Sequence, residues 1–135
     1  MMKHCSLLLS LLMLAGASTA LAENRDPYVG EWSGDCGSNV QCWMEIEQRD
    51  GTDYELKFIM AERRDANKIL CQAPIAMTRR PLKFNATLQY PDSLAGSIDV
   101  DEFLFILPGE GSLKFVTEAD CKGTRIHGEY YAIGD

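Results

Sequence analysis

The sequence predicts an all-β protein, an antiparallel meander of about eight strands closed into a small barrel. Three observations carry this reading. Apolar and polar residues alternate with a period of two in one short stretch after another, turn-forming residues separate the stretches, and helical periodicity is nearly absent. Closure removes the exposed edges that an open meander of this length would leave.

Residues 1–22 read as a secretory signal peptide. Lys3 and His4 make a short basic start, residues 6–14 run SLLLSLLML, and Ala20 and Ala22 are the small residues a signal peptidase reads. That apolar core is shorter than the ~20 residues a membrane-crossing helix needs. The expectation is cleavage after Ala22, an exported protein of the periplasm or the exterior, and no stable membrane insertion. Residues 23–135 then form a single barrel domain.

The strands follow in order. Residues 28–33 open the domain after Pro27. Val40, Cys42, Met44 and Ile46 alternate with polar residues, and Asp50-Gly51 makes a turn. Tyr54, Leu56, Phe58 and Met60 form the next inward row. Residues 61–68, AERRDANK, read as a long polar hairpin loop. Residues 69–77 form a strand in which Pro74 marks an edge or a bulge. The clearest alternation is Leu82, Phe84, Ala86, Leu88 and Tyr90, expected to line the interior together with Phe58. Residues 94–100 follow the Pro91-Asp92 turn. Residues 103–107 are a continuous apolar run, and residues 113–117 and 124–133 complete the meander.

Twenty acidic residues stand against 13 basic ones, a net charge of −7. Such a chain repels phosphate backbones and anionic lipid surfaces, so no nucleic-acid partner is expected. Cys5 leaves with the signal. The remaining four, Cys36, Cys42, Cys71 and Cys121, read as two disulfides of an exported domain, since no C-x-x-C pair seeds a zinc site. Of the three pairings, Cys36–Cys42 with Cys71–Cys121 is preferred. The first pair flanks the polar turn Gly37-Ser38-Asn39, and the other two remain.

Gly30-Glu31-Trp32 at the start of the first strand resembles the opening of the lipocalin and calycin barrels. The resemblance implies that Trp32 plugs one barrel end and that a late-strand basic residue, here Arg125, packs across its ring. In size and disulfides the chain is similar to the bacterial metalloprotease inhibitors. That likeness implies an N-terminal segment, residues 23–27 here, free to reach a partner.

Catalytic signatures are sparse. His127 is the only histidine after the signal, no G-x-S-x-G elbow occurs, and the cysteines are committed. Asp99, Asp101 and Glu102 lack the glycine and further ligands of a calcium loop and read as a charged strand edge. Arg63-Arg64 and Arg79-Arg80 could converge on an anion, but read better as neutralising nearby acids. The sequence therefore points to a non-catalytic, exported binding protein without metal or cofactor. Its expected partner is another protein, for instance a hydrolase that it inhibits through loops or its N-terminal segment. The alternatives are a carrier of a small apolar ligand and a structural envelope protein assembling through residues 103–107.

Overall fold

Alternation becomes wall and lining in the computed structural model, which describes residues 26–100 and 102–134. The expected signal peptide lies outside the described residues. Four strands come first: β1 (Gly30–Gly34), β2 (Val40–Asp50), β3 (Asp53–Glu62) and β4 (Asp65–Arg79). A small hairpin, β5 (Leu82–Lys83) and β6 (Gln89–Tyr90), precedes β7 (Leu94–Asp99), β8 (Glu102–Pro108) and β9 (Ser112–Thr117). A second hairpin, β10 (Asp120–Cys121) and β11 (Thr124–Arg125), leads into β12 (Gly128–Ala132). Eight strands close in the order β1-β12-β9-β8-β7-β4-β3-β2, every pair antiparallel.

The period of two sets the lining. Cys42, Met44 and Ile46 of β2 and Tyr54, Leu56, Phe58 and Met60 of β3 are all buried, and Ile75 and Met77 continue the lining onto β4. Leu104 and Ile106 of β8 and Leu113 and Phe115 of β9 meet them from across the barrel. Phe115 stacks on Phe58 at 6.1 Å and takes the edge of Tyr130 at 5.7 Å. Gly34 makes room for that tyrosine. A Cβ there would come within 2.5 to 2.7 Å of three Tyr130 ring atoms.

Three expectations need correction. Residues 82–90 are not a barrel strand. The Asn85 side chain accepts hydrogen bonds from the N–H groups of Thr87 and Leu88, turning the chain at that point. The resulting hairpin folds over the outside of the barrel, where Leu82 packs with Ala95 and Leu107. Phe84 and Leu88 are therefore exposed rather than interior, whereas Phe58 is buried as expected. Residues 61–68 are not a long loop either. β3 and β4 run on to a tight reversal at Arg63-Arg64, with Glu62 opposite Asp65. Finally, residues 124–133 are not one strand: Thr124 and Arg125 fold back on β10 across the Lys122-Gly123 turn, and Ile126-His127 separate them from β12.

Cys36 is bonded to Cys42 and Cys71 to Cys121, with Cα atoms 6.1 and 6.0 Å apart. Both pairs match the preferred pairing and lie toward the same end of the barrel, where Cys42, Met60 and Cys71 stand in register.

Candidate functional site

Trp32 and the segment before it stand toward the opposite end. Trp32 is buried, and its indole N–H donates to the Tyr28 carbonyl at 2.9 Å. Gly30, with a φ of 143°, takes a conformation that side-chain-bearing residues rarely adopt, and the indole nitrogen lies 3.8 Å from where a Cβ would stand. No cation–π contact between Arg125 and Trp32, which the resemblance implied, occurs among the described residues. Arg125 sits on β11, exposed, opposite Asp120. The cation–π contact at this end is instead Arg79 over Tyr28, 5.2 Å from the ring centroid. Arg79 is the last residue of β4, which brings it to the N-terminal segment rather than to the late strands.

Arg79 is held firmly. Its Nε and Nη2 donate to the two carboxylate oxygens of Asp92 at 2.9 and 2.7 Å, a bidentate pair. Its Nη1 stands 3.8 Å from the Asp26 carboxylate. The Tyr54 hydroxyl donates to Asp26, whose other oxygen accepts from the N–H groups of Tyr28 and Val29. Burial pushes the Tyr28 phenol well above the usual tyrosine range, and its hydroxyl faces Asp92 without closing a well-formed hydrogen bond. Asp26 and Pro27 are thus part of the closed end. At these two residues this corrects the expectation that residues 23–27 are free of the fold; residues 23–25 lie outside the described residues.

The Arg79 hydrogen bonds hold the Asp92 carboxyl below its ordinary range, against a smaller opposing effect of burial. A depressed carboxylate pKa stabilises the fold above the unfolded value of about 3.9, and that share is lost as pH falls through the folded value. Asp92→Asn should therefore lower stability at pH 7 and flatten the loss of stability below about pH 4. Parallel acid unfolding curves for the variant and the parent would contradict this.

The basic pairs do not converge. Arg79 lies at one end of β3 and Arg63 at the other, on the order of 30 Å apart for a strand of this length. Arg63 is spent on the fold, donating from Nη1 to the Ser38 carbonyl at 3.0 Å. No group of three His, Cys, Asp or Glu side chains that could hold a metal occurs among the described residues. His127 lines a shallow surface depression with Thr117, Glu118 and Arg125.

The most exposed aromatic surface lies outside the barrel on β8 and β9. Leu104 and Ile106 of β8 point inward, so Phe103, Phe105 and Leu107 point outward. The β5–β6 hairpin covers Leu107 and half-buries Phe105, whose ring meets Phe84 edge-on at 5.7 Å. Phe103 stays 61% exposed and Phe84 51%. The result is a trough made of two adjoining depressions that share Phe105 and Val116. One is bounded by Glu102, Phe103 and Glu118, the other by Phe84, Leu88 and Lys114. The sequence reading missed this trough because it assigned Phe84 and Leu88 to the interior; Asn85, a turn former amid the alternation, was the available signal. Comparison with protein-family models, curated proteins and solved structures returns no match for this chain.

Proposed function

We propose that the protein is an exported, non-catalytic binding protein that engages another protein through the trough on β8 and β9. One observation carries this reading: the barrel interior is filled by Phe58, Phe115, Tyr130 and their neighbours, whereas aromatic surface is left open outside. Bulky interiors fill small barrels, and exposed aromatic patches bounded by charge are a common form of protein contact. A filled interior also argues against the carrier alternative. The hairpin leaves little of residues 103–107 beyond Phe103 uncovered, which weakens the case for assembly through that whole strand. The likeness in size, disulfides and strand-one G-x-W to barrel inhibitors favours a hydrolase as the partner.

The test is partner capture from an envelope extract with wild-type protein, Phe103→Glu and Leu88→Glu. Both side chains are exposed, so stability should change by no more than about 0.5 kcal/mol. Capture should fall by about 2 kcal/mol, some thirtyfold, if the trough holds the contact. Undiminished capture by both variants, or a lipid-sized ligand retained in native mass spectrometry, would reject the reading.

A further inference from the structure

The barrel wall parts on one side. β4 pairs with β3 from Asp65 to Thr78, but with β7 only through Met77, Thr78 and Arg79. Among the described residues, β4 before Met77 has no partner on that side, which leaves a notch. Pro74 sits on its rim opposite Lys57. Because proline has no N–H, that pair belongs to the kind whose backbone groups point away from each other. Alternation then directs the Pro74 carbonyl and both backbone groups of Gln72 toward the notch, where no strand pairs with them.

Beneath this rim a cleft of about 110 Å³ reaches inward to the buried Phe58, Ile75 and Ile126, with Ala73 and the exposed Ile98 nearer its mouth. The Cys71–Cys121 disulfide draws β10 in as a further wall. The exposed carboxylate residues Glu102 and Asp120 also line it. Asp120 accepts from the Gly123 N–H at 3.3 Å and stands opposite Arg125 in the β10–β11 hairpin, whereas Glu102 has no such cross-strand cation among the described residues.

We propose that the notch binds an extended segment of another protein by strand addition, with one lysine side chain of that segment seated in the cleft. The space admits one side chain and not a lipid. Apolar walls suit a lysine's four-carbon stem, and the two carboxylates suit its ammonium head. The chain's net charge of −7 draws cationic segments toward it. In strand addition the main chain supplies affinity and a side-chain pocket supplies selectivity, which is the division of labour seen here. Pro74 limits the pairing to a few residues, so the rim accepts a short segment and resists indiscriminate edge-to-edge association. The notch is distinct from the trough, although Glu102 stands at the boundary of both.

The test is an amide-shift NMR titration of the whole protein with a blocked pentapeptide, lysine between pairs of valines, against the same peptide with central glutamate. The lysine peptide should give saturable shifts centred on Gln72, Ala73, Ile75, Ile98 and Asp120. The glutamate peptide should bind at least about tenfold more weakly. In the double variant Glu102→Gln, Asp120→Asn, whose dispersed spectrum verifies folding, the lysine peptide should weaken about fivefold and the preference should shrink. Equal binding of the two peptides, shifts gathered on Phe103 and Val116, or no saturable shift overturns the proposal. Shifts on Phe103 and Val116 would mean that the peptide sits in the trough and not in the notch; whether the trough captures the partner is decided separately by Phe103→Glu and Leu88→Glu.

Discussion

Replacing both Cys71 and Cys121 by alanine should lower the unfolding free energy by about 4 kcal/mol, against about 2 kcal/mol for Cys36 and Cys42. The difference follows from loop length, since the pairs are 50 and 6 residues apart in sequence. A longer closed loop removes more freedom from the unfolded chain. The long bond also has more to hold in the folded state, because it ties the β10–β11 hairpin to the part of β4 that β7 leaves unpaired. Domains of this kind are stable by only about 5–15 kcal/mol, so the loss should show as a large drop in urea midpoint. Equal losses from the two double variants would contradict the loop argument. Peptide mapping without reduction that joined Cys36 to Cys71 or Cys121 would contradict the pairing.

Trp32→Ala should cost about 3–5 kcal/mol, the range for truncating a large core aromatic. The indole is buried against the core, and its loss also strips the Tyr28 carbonyl of its donor. A double-mutant cycle between Trp32 and Arg125 should be additive, because Arg125 is exposed on β11 and opposite Asp120. The cycle that should couple, by about 0.5–2 kcal/mol, pairs Arg79 with Tyr28. Coupling in the first cycle and none in the second would restore the arrangement implied by the lipocalin resemblance.

The wall of the barrel was legible because burial on one face writes itself into alternate residues. Cys42, Met44 and Ile46, and Tyr54, Leu56, Phe58 and Met60, stand inward as their spacing requires. Alternation cannot say which surface the apolar face covers. Phe84 and Leu88 alternate as cleanly as Phe58 does, yet their hairpin lies on the outer wall and leaves them half in water. The pairing of the cysteines was legible from the turn between Cys36 and Cys42, with the second pair following by elimination. The Asp26–Tyr54–Arg79–Asp92 network was not. Its members are far apart in sequence and meet only once β3, β4 and the N-terminal segment have been placed. Arg79 in isolation looked like surface charge. The trough and the notch were hidden for a related reason: each depends on where strands stop pairing, which neither composition nor period records.

The seam between β1 and β12 has a consequence for the order of assembly. Seven of the eight junctions in the barrel ring join strands that succeed one another around the meander, whereas this one places Trp32 opposite Ala132. β1 gains β2 early, since their residues are near in the chain, but its second neighbour is the last strand to be made. Bringing such distant segments together is entropically dear and slow compared with closing a hairpin. The ring is therefore expected to close last, and until then one flank of β1 stays open to any other strand that meets it. The vulnerable moment in this protein's life is the interval before its final strand arrives, when a crowd of unfinished copies could pair with one another instead.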